Sequence, residues 1–248
     1  MKAVFVHSTI SSFNRKRLIE YKVPFVIPGN QMYLPDLGID LRAYFIKKRS
    51  KAAIFGPSTQ AVILYALTKK MTEPVTPTLL AEELGYSRMT MTRSLDEIES
   101  LELAEVSITG RKRLVSFDKN RRNLWEKALP HLRSPVKGNV WLKTMIDELP
   151  IRQAGLTALA CYSILTPSKR QVYAAFAKDW KAIKRKYPHE IISYPDEAGY
   201  ELEVWSYSPG LFANGKIVDP FSLYLSLRDI KDERVESAME EMMEGIEW

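Results

Sequence analysis

The sequence predicts an α+β protein in which three short helices and a two-stranded ribbon stand between a small N-terminal α/β segment and a C-terminal α/β domain. Three observations predict it. Between residues 57 and 103 apolar residues recur at helical spacing, with capping residues between the runs. Alternating β-branched runs follow at once and are joined by Thr109-Gly110. On either side the chain mixes strand-like and helical runs, and its 248 residues exceed the usual single domain.

Composition excludes several classes. A hydrophobic content of 46% supports a packed core, yet no run approaches the roughly 20 apolar residues of a membrane span. The start MKAVFVHSTISS lacks the apolar stretch and cleavage site of a signal peptide, so a cytoplasmic location without membrane contact is expected. Cys161 is the single cysteine, and His7, His131 and His189 are scattered, so no disulfide, metal or other cofactor is expected. Within AGLTALACYSIL, Cys161 reads as a buried, inert thiol. The net charge of +6 is segregated. Residues 1–55 hold ten Lys/Arg against three Asp/Glu, residues 126–188 twelve against four, and residues 189–248 four against fourteen. A basic body with an acidic end points to a polyanion on one surface.

Residues 1–55 read as strand, helix, strand and an irregular arm. Ala3 to His7 is a β-branched run, Ser11 to Tyr21 is helical, and Val23 to Ile27 is strand-like before the turn Pro28-Gly29-Asn30. Pro35 and Gly38 interrupt Gln31 to Phe45, which predicts a short strand and then irregular chain. Lys47, Lys48, Arg49 and Lys51 form a basic connector.

Residues 56–133 carry the helices. Pro57 to Lys70 places Val62, Ile63, Ala66 and Leu67 on one face. Thr76 before Pro77 is an N-cap with proline at the first helical position, and Gly85 ends a helix carrying Leu79, Leu80, Ala81 and Leu84. Ser87 caps the next helix, whose Met91, Leu95, Ile98 and Leu101 form the inward stripe. Ala104 to Ile108 and Leu114 to Phe117 are strands, with Arg111, Lys112 and Arg113 at the tip between them. Helix, helix, turn, helix and basic ribbon make a winged helix-turn-helix, and Arg121 to Leu132 closes the segment as a helix. Residues 134–248 supply helices at Val140 to Leu149, Gln153 to Leu165, Lys178 to Lys186, Asp219 to Leu227 and Asp232 to Met243. Strands are expected at Gln171 to Phe176 and Gly199 to Tyr207.

A helix that enters the major groove brings its N-terminal residues to the base edges, where its dipole and its cations both favour a polyanion. In SRMTMTR the residues off the stripe, Arg88, Met89, Thr92 and Arg93, face outward, while Ser87 and Thr90 serve the cap or a phosphate. Thr76 belongs to the same candidate surface. Arg93 can donate two parallel hydrogen bonds to guanine, Arg88 can do so or grip the backbone, and Thr92 can meet a thymine methyl. Arg111, Lys112 and Arg113 suit phosphates or a narrow minor groove. The carboxylates of Asp96, Glu97, Glu99 and Glu102 follow later and are expected to point away from DNA.

The block VTPTLLAEELGYSRMTMTRSLDEIESLELAEVSITGRKRLVSF resembles the winged helix-turn-helix of MarR-type bacterial transcriptional regulators. Large extra segments flank it here, on both sides. AGLTALACYSIL, LEVWSY and VDPFSLYLSLRDIKDERVESAMEEMM are similar to the distal domain of AbiE-type abortive-infection antitoxins. These resemblances imply a regulator of the repressor kind, linked to defence or toxin control.

The expected function is sequence-specific regulation of transcription without enzymatic activity. The expected partners are double-stranded DNA and, because operators repeat their half-sites, a second copy of the chain. An antitoxin-like adaptor that binds a toxin-like protein is the alternative. A metal-dependent nuclease comes third: Glu201 and Glu203 alternate onto one face of a strand near Asp196, but Val204 and Trp205 follow where a lysine is wanted. KDWKAIKRK offers Lys178, Lys181, Lys184, Arg185 and Lys186 to nucleic acid, with Trp180 either stacking on a base or packing inside. SLYLSL and AMEEMM read as core or as dimer surface.

Overall fold

A computed structural model describes residues 3–7, 10, 12–28, 31–42, 54–71, 73–110 and 112–248. The protein is a mixed α+β structure that divides into two compact units, residues 1–50 and 51–248. The basic connector of Lys47, Lys48, Arg49 and Lys51 lies outside the described residues, as do Gly29 and Asn30 of the first expected turn.

In the first unit β1 (Phe5–Val6) and β2 (Phe25–Ile27) pair in parallel, joined by the helix α1 (Ser12–Glu20). Parallel neighbours need such a crossover. β3 (Gln31–Leu34) and β4 (Ile39–Arg42) follow as an antiparallel hairpin, giving the order β1-β2-β3-β4. The irregular arm expected after Gln31 is therefore a hairpin in its described part. Pro35 opens a 3-10 turn and Gly38, at φ +67, closes it, so both breakers sit in the connection.

The second unit begins with α2 (Pro57–Thr68), α3 (Pro77–Leu84) and α4 (Arg88–Ser100). Met91, Leu95 and Ile98 of α4 are fully buried in one core with Ile63, Leu64 and Leu67 of α2 and Leu80 of α3. β5 (Ala104–Thr109) and β6 (Lys112–Phe117) form a two-stranded ribbon, and α5 (Arg121–Ala128) follows. Thr109 pairs with Lys112, so the loop is Gly110-Arg111, one residue later than expected. Gly110 takes φ +63 there, a conformation that costs glycine little. A reciprocal bridge between Val75 and Val115 ties the start of α3 to the ribbon.

The remaining elements are β7 (Val136–Leu142), β8 (Ile151–Gln153), α6 (Gly155–Tyr162), β9 (Gln171–Phe176), α7 (Ala177–Ile183), β10 (Ile191–Ile192), β11 (Tyr200–Trp205), α8 (Pro220–Leu227) and α9 (Glu233–Glu244). The strands make one sheet in the order β10-β7-β11-β9-β8, antiparallel except for the parallel pair β11-β9. Alternation along β9 separates two cores. Val172 and Ala174 join the large cluster with α6, α8 and α9, whereas Tyr173 and Ala175 meet Trp180 of α7.

Two expectations fail in this unit. Val140 to Leu149 is not a helix; its first residues belong to β7. Leu142, Ile146 and Leu149 do share a helix-like spacing and one small core, but the chain reaches it through a strand and turns. Hydrogen bonding to β10 and β11 decides the local structure there over the apolar period. Cys161 is exposed and not buried, because α6 turns Gly155, Ala158 and Leu159 inward. The Cys161 thiol faces the carbonyl of Thr157, at 3.5 Å.

The large core runs from Phe55 to Met242, across the boundary between residues 133 and 134. Gln60 of α2 stands at that crossing, 1% exposed. Its Nε2 donates to the Arg133 carbonyl at 2.9 Å and its Oε1 accepts from the Arg133 N–H at 3.0 Å. The Tyr207 hydroxyl lies 3.4 Å from the same Nε2 and 2.9 Å from Ser222 Oγ. Replacing Gln60 by leucine removes both hydrogen bonds to the Arg133 backbone and is expected to cost about 1–3 kcal/mol, at about 0.5–1.5 kcal/mol for each bond. A lowered urea midpoint checks this, and an unchanged midpoint contradicts it.

Candidate nucleic-acid interface

Local chemistry sets α3 and α4 in register. Thr76 Oγ1 accepts from the Leu79 N–H, Pro77 opens α3, and Gly85 ends it at φ +69. Ser87 Oγ then accepts from the Thr90 N–H at 3.1 Å and lies 2.8 Å from Thr90 Oγ1. Cap hydroxyls satisfy amides that the first turn of a helix leaves free. Ser87, Thr90 and Thr76 are thus engaged first in holding the two helices.

Outside these caps the first turns of α4 are open. Arg88, Met89, Thr92 and Arg93 are all exposed, Met89 at 65%. Thr92 Oγ1 donates back to the Arg88 carbonyl at 3.0 Å, which turns the hydroxyl onto the helix. Ser94 is buried instead and donates to Ser58 Oγ of α2 at 3.0 Å. Lys112 is exposed on β6, and Arg111 lies outside the described residues.

Arg113 departs from the expectation. Its side chain is only 21% exposed, and its guanidinium donates to Asp96 at 2.6 Å and to Glu99 at 2.9 Å. It is a strand residue of β6 that faces α4, because its opposite number in the ladder, Ile108, lies on the same face as the core-directed Val106. The carboxylates expected to point away from the basic surface are therefore divided. Glu97 accepts from Thr59 of α2 at 2.6 Å, while Asp96 and Glu99 reach toward the ribbon. Glu102, past the end of α4, takes φ +58.

Leu79, grouped in the sequence with the apolar residues Leu80, Ala81 and Leu84, and Ile108 at the end of its strand are exposed at 43% and 78%. Their apolar character reads as core, and only the placement of α3 and the ribbon leaves them outside. Between the end of α4, the base of the ribbon and α5 lies a cleft of about 600 Å³. Its lining mixes the acids Glu99, Glu102, Glu105 and Asp118 with Lys119 and Lys127 and the apolar Leu103, Phe117 and Leu124.

The third candidate cluster is Glu201 and Glu203. Both face the large core side of β11, with Trp205. Glu203 is 7% exposed and accepts from Trp205 Nε1 at 2.7 Å; Glu201 accepts from Asn139 Nδ2 at 2.7 Å. A Cβ on Gly155, whose φ is +51, would stand 2.8 Å from a Val172 methyl and 3.2 Å from Glu203, so the start of α6 closes over the carboxylate. Burial pushes the Glu203 carboxyl up to about 7, and the Glu201 charge adds to this. Burial raises Glu201 as well, against the hydrogen bond from Asn139 and the charge of Arg170. Among the described residues no group of three or more His, Cys, Asp or Glu is placed to hold a metal ion.

Comparison with family models, with curated proteins and with solved structures returned no match to this chain.

The contacts of Arg113 and Glu203 have measurable consequences. Arg113→Ala should loosen the ribbon, costing about 1 kcal/mol for an exposed pair network and speeding amide exchange in β5 and β6. Exchange unaltered there contradicts the clamp. Because the Glu203 carboxyl is raised in the fold, its neutral form contributes stability below pH about 4.5, and that contribution is lost as pH rises through about 7. Glu203→Gln should restore on the order of 2–3 kcal/mol above pH 7. Melting curves that fall in parallel between pH 5 and 8 for both proteins exclude that role.

Proposed function

We propose that α2, α3, α4 and the β5-β6 ribbon form a winged helix-turn-helix that binds double-stranded DNA in a sequence-specific way. In this reading the protein is a cytoplasmic transcriptional regulator that represses as a homodimer and carries no enzymatic activity. One observation carries the reading. The outward face of the first two turns of α4 displays Arg88, Met89, Thr92 and Arg93 without a carboxylate among them, and the ribbon is docked further along the same helix, at Asp96 and Glu99. The inward stripe and the caps make that display rigid, which a base-reading helix requires.

The parts have distinct roles. Arg93 donates to guanine, Arg88 to guanine or phosphate, and Thr92 offers its methyl to thymine because its hydroxyl is turned back on the helix. Lys112 meets a phosphate. Arg113 acts indirectly, by setting the ribbon against α4 through Asp96 and Glu99. The likeness of residues 75–117 to MarR-type regulators supports this reading, and that of the C-terminal segments to AbiE-type antitoxins supports control of a toxin-linked promoter. Among the described residues no helix is long and apolar enough to cross a membrane.

A second reading has its own observation. Leu79, Met89 and Ile108 are exposed apolar side chains on α3, α4 and the ribbon, as a protein-binding antitoxin-like adaptor for a toxin-like partner would display. Anisotropy titration against the chain's own upstream DNA separates the two. Arg93→Ala or Arg88→Ala should weaken specific binding by about 1–3 kcal/mol, and Lys112→Ala should lower the salt slope by about one. Affinity and slope unmoved by all three changes would falsify the DNA reading.

A further inference from the structure

We propose that the exposed face of α7 and the turn after it form a second surface, one that binds the backbone of nucleic acid without regard to sequence. Trp180 and Ile183 lie three residues apart and share one side of α7. They seat it on the sheet face that carries Ala175, Leu202 and Tyr173, with Trp180 7% exposed. This makes Trp180 an anchor and removes it as a stacking platform for a base. Lys178 and Lys181, three residues apart, lie away from that side of α7, and Lys184 and Arg185 follow in the turn that ends it. All four are exposed.

The row lacks the compensation that an ordinary solvated helix carries. Lys186 is taken by Glu148, at 3.1 Å, and Glu148 also accepts from the Tyr187 hydroxyl. Asp179, the acidic residue of α7, is half-buried at the first turn. Among the described residues none of the four exposed cations forms an ion pair. Like charges at such spacing repel, and a polyanion relieves that repulsion. From Lys178 to Arg185 is about two helical turns, roughly 10 Å, over which one strand of a duplex passes about three phosphates. Ala182 is the exposed neutral residue among them, so the row offers no apolar side chain to anchor a peptide. Charge and spacing fit an evenly charged backbone. The sheet stands between α7 and the core that α4 joins, so this surface meets a different stretch of nucleic acid from the one proposed for α4.

The test uses the full chain and a duplex of scrambled sequence, with anisotropy read across a series of salt concentrations. The variant K178Q/K181Q/K184Q/R185Q should bind at least tenfold more weakly, and its log–log salt slope should fall by about three to four. Its melting temperature should not drop, since no buried group is touched. Wild-type affinity and slope in the variant overturn the proposal, as does equal binding of poly-glutamate at matched charge, which would mark a surface for acidic protein. R88A/R93A separates the two surfaces. If it alone abolishes scrambled-duplex binding, the α7 proposal fails while the α4 reading stands. If sequence-specific binding survives R88A/R93A and scrambled binding is lost in the α7 variant, the α7 proposal stands and the α4 reading fails.

Discussion

The side-chain amide of Gln60 is the point on which the second unit depends. A primary amide offers a donor and an acceptor side by side, and Gln60 uses both on the backbone of Arg133, much as a neighbouring strand would. Its remaining proton approaches Tyr207, which follows β11 and contacts Ser222 of α8. Four segments remote in sequence are thereby held at one place. Gln60, Tyr207 and Ser222 are buried, so their polar atoms must be satisfied within the fold or cost it their desolvation. Around this joint the apolar packing is continuous, with Trp125 of α5 set against the rings of Phe221 and Tyr224. The helical part and the sheet part consequently share one hydrophobic core.

The display on α4 depends on the same framework. α2 holds α4 by Ser58 to Ser94 and by Thr59 to Glu97, so the orientation of the exposed first turns is inherited from the helix that carries Gln60. On its other flank α4 holds the ribbon, through Asp96 and Glu99 on Arg113. The charge order of the helix thus has two physical consequences. Its basic beginning is left open, and its acidic second half is used to dock neighbouring elements. Neutralising Arg113 locally also shifts the cationic character of the surface toward Arg88, Arg93 and Lys112.

Much of this region is legible in the sequence because its determinants are local. Capping by Thr76 and Ser87, the glycine stop at Gly85 and the stripe of Met91, Leu95 and Ile98 each act within a few residues. Strands β9 and β11 are legible for the same reason, since alternation of apolar residues reports a sheet with two different faces. Remote determinants leave no such trace. Leu142, Ile146 and Leu149 have the spacing of a helix, yet β7 is a strand because its hydrogen-bonding partners lie some fifty residues or more away, in β10 and β11. In the hairpin of β3 and β4, Pro35 and Gly38 signal a break without saying that the chain then pairs with itself. The charge of Arg113 is plain from its identity, but only register shows which side of the ribbon it occupies.

By itself, then, the sequence determined where most helices begin and end, which of their residues turn inward, and that the opening of α4 is free of negative charge. Those properties follow from hydrogen bonds and periodicities spanning a turn or two of chain. Only the tertiary structure decided that Asp96 and Glu99 are spent on Arg113, that Glu203 is sealed against Trp205 and α6, that Trp180 is an anchor, and that Gln60 joins the two halves. Each of these is a pairing between residues brought together by the fold, and the energy of such a pair exists only once both partners are out of water and within reach.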